Sequence, residues 1–364
     1  MPTVQAAVCR AFGAPLSIET VTLADPGPDE ILVRLKACAI CHSDILYADG
    51  AWGGDLPAVY GHEAAGIVEA VGPGVERLKP GDHAVVTLIR SCGHCHYCGQ
   101  GKQTACEAEF ALDRETPLHA AAGNEALVHG LRTGAFAEAV TVEASQAVAI
   151  PDDVPLEAAS LLACGVITGF GAVSNTAHLK PGETAAVIGC GGVGLNAVQG
   201  ASICGASQVI ALDTVAEKRE AALSFGATHA IDAAAEDAVD QLMALTRGRG
   251  VDYAFVTVGV KPAIDQAMKL IGKTGAVVLV GMPPSGVTAE IDPGALASAS
   301  QRILGSKMGE ARVPVDIPSL VAQYRAGRLK LDQLISNRYP LARINEAIAE
   351  VKAGRVIRNV ITFD

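Results

Sequence analysis

The sequence is poor in aromatic residues and has fewer basic residues than acidic ones. Only 4% of its 364 residues are aromatic, although 50% are hydrophobic, which is typical of an α/β enzyme with a core of small aliphatic side chains. The 28 lysines and arginines are outnumbered by 39 aspartates and glutamates, for a formal charge of −11. Such a chain offers no basic excess to offset nucleic-acid phosphates. The composition therefore argues against a nucleic-acid partner and favours a small-molecule one.

The sequence also lacks an export signal and a convincing membrane span. Met1 to Val8 contains no basic segment that leads into an apolar one, so we expect a cytoplasmic enzyme. The stretch from Thr184 to Leu212 has no charged residue and exceeds the roughly 20 apolar residues that cross a bilayer. Six glycines and several polar side chains interrupt it. We interpret it as a buried β-α-β unit and expect no membrane association.

That same stretch contains a glycine-rich turn. The apolar run Ala185 to Ile188 predicts a buried strand, and it leads into Gly189-x-Gly191-x-x-Gly194 at the start of a helical segment. The three glycines suit a tight turn, close approach of the backbone to a pyrophosphate and close packing of helix on strand. The motif alone is weak, because a glycine-rich loop can lack a ligand. The next predicted strand ends in Asp213, where an acidic residue meets the adenosine ribose, so we predict NAD binding.

The length and the order of patterns predict two domains. Residues 4 to 88 are rich in short strands separated by Pro and Gly turns. From residue 165 strands and helices alternate, and six strands in this alternation predict a doubly wound parallel sheet of the α/β class. We place a β-rich domain at residues 1–164, a nucleotide domain at 165–306, and a segment that returns to the first domain at 307–364.

Four cysteines on one loop predict a metal site. Cys92, Cys95, Cys98 and Cys106 are spaced as ligands of a closed, structural tetrahedral zinc. His94 and His96 lie between them as rival ligands, but four thiolates already saturate the ion. Lys102 is the only basic residue between the first and last cysteine, which disfavours a nucleic-acid zinc ribbon. The remaining Cys9, Cys38, Cys190 and Cys204 are assigned to packing.

Three further residues form a possible second metal site. Cys41, His62 and Cys164 are separated in the sequence, and each taken alone would be interpreted as a buried packing residue. Together they supply two thiolates and one imidazole, the ligand set of a catalytic zinc with an open fourth position.

The motifs, taken in order, resemble the zinc-dependent alcohol dehydrogenases of the medium-chain dehydrogenase/reductase superfamily. The resemblance covers essentially the whole chain and is carried by Cys41-His42-Ser43-Asp44, Gly61-His62-Glu63, the four-cysteine loop, Cys164 to Gly169, Gly189 to Gly194, Asp213 and Ile357 to Phe363. It implies a Rossmann cofactor domain, a GroES-like catalytic domain, and two zinc ions per chain. It also implies hydride transfer between an alcohol and NAD to give the aldehyde.

The resemblance assigns roles to individual residues. Cys41, His62 and Cys164 are implied as ligands of the catalytic zinc, with Glu63 as an alternate ligand, while Asp44 orients the histidine. Ser43 is implied to take the proton of the substrate, as a fourth catalytic residue beside these three ligands. The implied cofactor contacts are His42, Thr168, Gly189, Gly191, Gly192, Val193, Gly194, Asp213, Lys218, Val258 and Arg358.

Some positions depart from the family pattern or leave alternatives open. Leu46 stands where many relatives carry a histidine that passes protons to solvent. Trp52 and Leu88 are implied to line the substrate pocket, which favours an apolar primary or aromatic alcohol. A thiol-linked formaldehyde dehydrogenase, a polyol dehydrogenase, a zinc-free reductase of the same superfamily and a non-catalytic zinc-binding structural protein are the alternatives. The chain is expected to form a homodimer or a homotetramer.

Overall fold

The computed structural model describes residues 1–364, and these form two compact units. The first unit contains Met1–Cys164, Arg312–Gly327 and Leu331–Asp364. The second contains Gly165–Ala311 and Arg328–Lys330. No single helix is long and apolar enough to cross a membrane, and one bent pair of consecutive short helices, within residues 156–176, meets that test by length and composition only.

The N-terminal part of the first unit is mostly β-structure. Its strands are β1 (Thr3–Cys9), β2 (Ser17–Leu23), β3 (Glu30–Ala39), β4 (Ala58–Val59), β5 (Glu63–Val71), β6 (His83–Val86), β7 (Leu118–Ala120), β8 (Val128–His129), β9 (Ala139–Glu143) and β10 (Ala147–Ala149). Its helices are α1 (His42–Ala48), α2 (Ala111–Arg114) and α3 (Leu156–Ser160).

The second unit alternates strands and helices. The strands are β11 (Thr184–Ile188), β12 (Gln208–Asp213), β13 (His229–Asp232), β14 (Val251–Val256), β15 (Ile271–Leu279) and β16 (Arg302–Gly305). The helices are α4 (Gly165–Gly171), α5 (Gly192–Ile203), α6 (Ala216–Ser224), α7 (Ala238–Leu245), α8 (Lys261–Leu270) and α9 (Pro293–Ser298).

The chain then returns to the first unit. This part contains α10 (Val313–Arg325), β17 (Ile335–Pro340), α11 (Ile344–Lys352) and β18 (Arg358–Thr362). Pro314 lies in the first turn of α10, where a missing N–H costs nothing. Pro318 lies inside the same helix.

The six strands of the second unit form one parallel sheet in the order β13-β12-β11-β14-β15-β16. This confirms the predicted doubly wound Rossmann sheet. Strand β11 pairs with β12 on one side and β14 on the other, so the strand order reverses next to it. Ligands of open α/β sheets bind at such a switch point, beyond the carboxyl ends of the strands. The glycine-rich turn directly follows β11.

The strands of the first unit form two sheets. One has five strands in the order β7-β2-β1-β4-β8, and the other has seven, with β10-β6-β5-β3-β18-β17 in line and β9 paired to β3. A core of buried, mostly aliphatic residues packs within this unit, and Phe136 is one of its largest fully buried side chains. The C-terminal strand β18 lies beside β3, with Val360 opposite Ala39.

Candidate active site

A buried cluster of four ligand groups lies at the end of β3 and the start of β5. Cys41, His62, Glu63 and Cys164 each offer one ligand atom, and these atoms lie within 4.8 Å of one another. The pairing of β3 with β5 explains part of the assembly, because Ala39 is the register partner of Glu63. Cys41 follows β3 by two residues, and His62 precedes β5 directly. The structure thus brings together the three predicted zinc ligands and the predicted alternate ligand.

One carboxylate holds two segments of this cluster in place. Asp44, which is 1% exposed, accepts hydrogen bonds from the backbone N–H of Cys41 and of Gly61, each at 3.0 Å. Its Oδ1 atom also lies 2.8 Å from His62 Nδ1. The bond to Cys41 caps the first turn of α1, since Asp44 is the third residue of that helix. Asp44 therefore fixes both the start of the helix and the orientation of the imidazole.

The buried cluster fits a zinc ion. When His62 donates its Nδ1 proton to Asp44, the lone pair on Nε2 remains free to bind a metal. His62 Nε2 is buried and has no hydrogen-bond partner, and neither carboxylate oxygen of Glu63 has one. Buried polar atoms without partners are rare and call for an explanation. Two thiolates, one imidazole and a nearby carboxylate are ligands that tetrahedral zinc prefers, and zinc binding accounts for the orphaned atoms.

The cluster also perturbs the acidity of its own groups. Burial raises the pKa of Glu63 to about 8, against the opposing charge of Arg358. A hydrogen bond with Cys164 lowers the pKa of the Cys41 thiol well below its usual range, and the positive charge of Arg358 acts in the same direction.

Arg358 reaches this cluster from the last strand. Its Nη1 donates to the carbonyl oxygen of Ile40 at 3.2 Å, and its Nη2 lies 3.3 Å from Glu63 Oε1, an ion pair without hydrogen-bond geometry. The residue is 7% exposed. The pairing of β18 with β3 brings the guanidinium beside the metal ligands, although 318 residues separate Ile40 from Arg358.

The four-cysteine loop forms the second cluster. The thiols of Cys92, Cys95, Cys98 and Cys106 lie within 4.8 Å of one another, and all four residues are half-buried. Backbone N–H groups of Cys95 and Cys98 donate to the sulfurs of Cys92 and Cys95, at 3.2 and 3.4 Å. Such bonds stabilise negative charge on the sulfurs. Four converging thiols with N–H···S bonds suit a closed tetrahedral zinc.

The two histidines of this loop have other partners. His94 Nδ1 lies 2.8 Å from the carbonyl oxygen of Cys92, and His96 Nε2 lies 2.9 Å from the amide nitrogen of Gln100. Neither belongs to the group of converging ligand atoms.

The three glycines of the glycine-rich turn in the second unit have different roles. Gly189 has φ +93°, and a Cβ there would lie 2.4 Å from Val258 Cγ1. A Cβ on Gly194 would lie 1.7 Å from the carbonyl oxygen of Gly189, whereas one on Gly191 would meet nothing within 4 Å. The first glycine therefore allows the turn, the third allows helix-on-strand packing, and the second leaves open space at the N-terminus of α5. Gly192 and Val193 begin that helix.

Asp213, at the end of β12, is tied to this turn. Its Oδ2 accepts a hydrogen bond from the N–H of Cys190 at 2.7 Å, and its Oδ1 accepts one from Val215 at 2.9 Å. Each oxygen keeps a further acceptor position. Lys218 lies in α6, which begins three residues after Asp213.

The remaining predicted site residues occupy both units. In the first, His42 is exposed and Ser43 half-buried, at the first two positions of α1. In the second, Thr168 is buried in α4 and its hydroxyl donates to Met308 Sδ at 3.6 Å, while Val258 is half-buried beside Gly189.

Sequence reasoning does not single out Arg90, which is buried near the four-cysteine loop. Its side chain is 0% exposed and pairs with Asp113 at 2.8 Å. An arginine at the end of the apolar run Ala84 to Ile89 is the signal that could have identified it.

Comparisons with known proteins agree with this geometry. Residues 27–152 match the family model described as alcohol dehydrogenase GroES-like domain, and residues 192–323 match that of the zinc-binding dehydrogenases. The chain is 39% identical to the NDMA-dependent alcohol dehydrogenase of Amycolatopsis methanolica, with 98% of each chain covered. It is 36% identical to the probable S-(hydroxymethyl)glutathione dehydrogenase 1 of Schizosaccharomyces pombe, covering 100% of this chain and 97% of the relative.

A solved structure extends the similarity to the whole fold. The benzyl alcohol dehydrogenase of Acinetobacter calcoaceticus matches with a TM-score of 0.93 and 33% identity, with 100% of both chains covered. The GroES-like unit, the Rossmann sheet and two clusters of converging zinc-ligand groups are thus found in one chain that matches these relatives over its full length. The chain therefore belongs to the zinc-dependent alcohol dehydrogenases of the medium-chain dehydrogenase/reductase superfamily and is an oxidoreductase of alcohols.

Proposed function

We propose that the protein transfers a hydride between an apolar primary alcohol, preferably an aromatic one, and NAD, giving the aldehyde. The observation that carries the proposal is the buried cluster of Cys41, His62 and Cys164, in which the imidazole nitrogen facing the thiols has no partner. Three ligands leave one position open for substrate, which distinguishes a catalytic zinc from a structural one.

The metal content follows from the two clusters. Cys41, His62 and Cys164 would hold a catalytic zinc, with Glu63 as an alternate ligand, and the four-cysteine loop would hold a structural zinc. When bound in the first cluster, zinc supplies Lewis-acid polarisation of the substrate oxygen. Two zinc ions per chain are expected.

The proton of the alcohol needs an acceptor from the chain. Ser43 lies two residues from Cys41 on the first turn of α1 and is half-buried, and by the family resemblance we assign this role to its hydroxyl. A hydroxyl cannot store the proton and must pass it on. Because Leu46 replaces the histidine of many relatives, the remaining routes are the ribose hydroxyls with water, or the exposed imidazole of His42.

The cofactor preference follows from Asp213. Its carboxylate is held by two N–H groups, and it keeps acceptor capacity for the adenosine ribose hydroxyls while repelling a 2′-phosphate. His42 and Arg358 would contact the pyrophosphate, Lys218 would lie near the ribose, and Thr168 and Val258 near the nicotinamide. The relative from Amycolatopsis methanolica is NDMA-dependent by name, so NDMA is a second electron acceptor to test.

The substrate class is argued from the aromatic residues beside α1. Trp52 packs edge-on against Tyr47, with ring centroids 5.2 Å apart, and Tyr47 stacks on Tyr60 at 6.0 Å. By the family resemblance Trp52 and Leu88 line the substrate pocket, and apolar side chains of this kind suit a benzyl or alkyl group. The similarity to a benzyl alcohol dehydrogenase supports this choice. The similarity to an S-(hydroxymethyl)glutathione dehydrogenase supports a thiol-linked formaldehyde dehydrogenase as the second candidate. A homodimer or a homotetramer remains our expectation for the assembly.

The test is a substrate and acceptor panel on purified enzyme with measured zinc content. Benzyl alcohol, ethanol, sorbitol and S-(hydroxymethyl)glutathione are each assayed with NAD, NADP and NDMA. We expect the highest kcat/KM with benzyl alcohol and NAD, and a smaller preference for NAD in Asp213→Gly. Equal kcat/KM of the wild type with NAD and NADP would refute the cofactor assignment. No turnover of any alcohol by zinc-loaded enzyme would favour a non-catalytic structural protein.

The relay through Ser43 has its own test. Ser43→Ala should slow single-turnover hydride transfer by about 10²-fold or more while leaving the zinc content intact. A burst of NADH as fast as that of the wild type would rule out the relay.

A further inference from the structure

The first unit contains a cavity that shares no residue with either cysteine cluster. Its volume is about 340 Å³, within the range of pockets that hold small molecules. Helix α2, strand β8 and the turn that follows β8 provide most of the lining, and the buried side chain of Arg90 contributes to it from the interior. The proposed alcohol oxidation uses none of these residues.

The cavity is positively charged although the protein as a whole is acidic. Arg90, Arg114 and Arg132 line it, and Asp113 is the one carboxylate among the lining residues. His129 adds no charge. Its Nε2 lies 2.8 Å from the carbonyl oxygen of Thr133, and burial, together with the charge of Arg90, lowers the pKa of His129 to about 3. The lining therefore carries a net charge of two positive units in a chain whose formal charge is −11.

The donors of Arg90 are used within the protein. Its Nε donates to Gln146 Oε1 at 2.6 Å, its Nη1 to Asp113 Oδ1 at 2.8 Å, and its Nη2 to the carbonyl oxygen of Arg132 at 3.1 Å. The other oxygen of Asp113 accepts from the N–H of Phe110 at 3.1 Å. Arg90 and Asp113 thus form a closed, neutral pair at the base of the cavity.

The other two guanidinium groups retain free donors. Arg132 Nε lies 3.5 Å from Asp113 Oδ1, but the terminal amino groups of Arg132 donate no hydrogen bond, and its side chain is 48% exposed. Arg114 is exposed and has no ion-pair partner. Arg114 has no ion-pair partner and Arg132 pairs only through its Nε, so both guanidinium groups keep terminal donors that match the bidentate geometry of carboxylate and phosphate.

The backbone around Arg132 is held in an unfavourable conformation. Leu131 and Arg132 have φ values of +52° and +59°, and consecutive non-glycine residues rarely adopt this left-handed region. The carbonyl oxygen of Arg132 is held on the inner side by two donors, Arg90 at 3.1 Å and Gln146 at 2.9 Å. Strain of this kind is found most often at ligand clamps and active sites. Here it fixes the position from which the Arg132 side chain extends.

We propose that this cavity binds a small organic anion with one carboxylate or phosphate head group and a short apolar body. Arg114 and Arg132 bind the head group, and Leu112 and Val128 contact the body. The site shares no residue with the two zinc clusters or with the proposed cofactor contacts.

The test uses zinc-loaded enzyme and four probes. Butyrate and monobutyl phosphate carry the two head groups, inorganic phosphate lacks the apolar body, and butyramide is the neutral isostere of butyrate. Binding is measured by calorimetry at millimolar probe concentration, and backbone amide exchange over residues 110–134 locates it. We expect saturable binding of butyrate or monobutyl phosphate, stronger than that of inorganic phosphate, with slower exchange over this segment. The comparison of these two organic anions identifies the preferred head group.

Matched variants separate this site from others that bind anions. Arg114→Gln combined with Arg132→Gln should weaken binding by about tenfold or more, because charge-assisted hydrogen bonds are lost. Both side chains are exposed, so the melting temperature should stay near that of the wild type. Arg77→Gln, at another exposed position, should bind as the wild type does.

Three results would overturn the proposal. The first is that neither organic anion binds saturably to the wild type. The second is that the double variant binds the organic anions with unchanged affinity, and the third is that butyramide binds as tightly as butyrate. Benzyl alcohol turnover by the double variant is measured in parallel, and its rate bears on the proposed function alone.

Discussion

The two cysteine clusters of the first unit are assembled in different ways. The four-cysteine loop takes its ligands from residues 92–106, keeps them half-buried, and orders them with N–H···S bonds between near neighbours. The cluster of Cys41, His62, Glu63 and Cys164 takes them from three separate segments and buries every one. It depends on strand pairing, on Asp44 and on a strand from the far end of the chain. The loop is therefore suited to support the fold, and the buried cluster to hold a reactive, open metal position.

Removal of a ligand from the buried cluster should have the largest effect on catalysis. His62→Ala should lower single-turnover hydride transfer by about 10³-fold or more, because Lewis-acid stabilisation worth several kcal/mol is lost. Stopped-flow NADH formation and the zinc content per chain are the measurements. We expect the variant to bind one zinc ion fewer per chain than the wild type.

The matched control for that variant is a histidine of the four-cysteine loop that is not one of the converging ligands. His96→Ala should leave the rate and the zinc content unchanged, because His96 pairs with Gln100 rather than with the thiols. Loss of zinc from His96→Ala, with retention in His62→Ala, would mean that the two assignments are exchanged.

A weaker perturbation of the buried cluster should act through the orientation of its ligands. Asp44→Asn keeps the shape of the side chain but cannot accept from Cys41, Gly61 and His62 together, since one of its atoms becomes a donor. Zinc affinity should fall by about 10- to 100-fold. Competition with a chromophoric chelator measures it. Asp82→Asn serves as control, because Asp82 accepts a hydrogen bond from the N–H of Lys79 in an exposed turn. An equal loss of zinc affinity in Asp82→Asn would contradict the role given to Asp44.

The four-cysteine loop should respond in stability more than in activity. Cys98→Ser should remove one zinc ion and lower the melting temperature by several degrees, because metal binding at a closed site contributes to folding. Hydride transfer by the folded fraction should stay within a few-fold of the wild type. Calorimetry and zinc analysis test this, with Cys204→Ser, a half-buried cysteine outside both clusters, as reference. A variant that melts normally but is inactive would contradict the structural role.

The smallest effect concerns a buried acid outside both clusters. Glu143 is the register partner of Glu30, and burial, with the negative charge of Glu30 adding, raises the pKa of Glu143 to about 7. The folded pKa lies above the usual value of 4.5, so this group stabilises the fold below pH 4.5, and the contribution is lost as the pH rises through 7.

The wild type should therefore lose stability relative to Glu143→Gln as the pH rises from 5 to 8. The difference in the free energy of unfolding should change by on the order of 1 kcal/mol after screening by solvent. Denaturant unfolding at several pH values measures the difference. Glu76→Gln, at an exposed position, should show no such trend. Glu63 also has a raised pKa but belongs to the buried metal-ligand cluster. Glu143 lies outside both clusters, so its variant reports the effect of burial without that of a metal.

The second unit could be predicted from sequence almost element by element. Its six strands are apolar runs between helical segments, and local pattern is enough to identify a buried parallel strand such as β11 or β14. The first unit was harder to predict. Strands of two or three residues such as β4 and β8 are too short for periodicity, and the sequence predicts no helix at His42–Ala48, where α1 forms.

The metal-ligand residues could be predicted, but their supports could not. Cysteine spacing and the family resemblance identify the ligands. The hydrogen bond from Gly61 to Asp44 spans 17 residues, and the pairing of Arg358 with Glu63 requires β18 to lie beside β3. Arg90 draws its four partners from three separate segments of the first unit. Contacts between distant segments follow from the tertiary fold and leave no local pattern in the sequence.

The place of β18 beside β3 affects how the protein is made on the ribosome. Domains fold in the order in which they emerge, and pairing between distant segments is slow. The strand that leads into Cys41 emerges early, but its neighbour in the sheet is translated 318 residues after Ile40. The whole second unit is synthesised in between and can fold first. The nascent enzyme should therefore gain its complete metal-binding environment only at the end of translation.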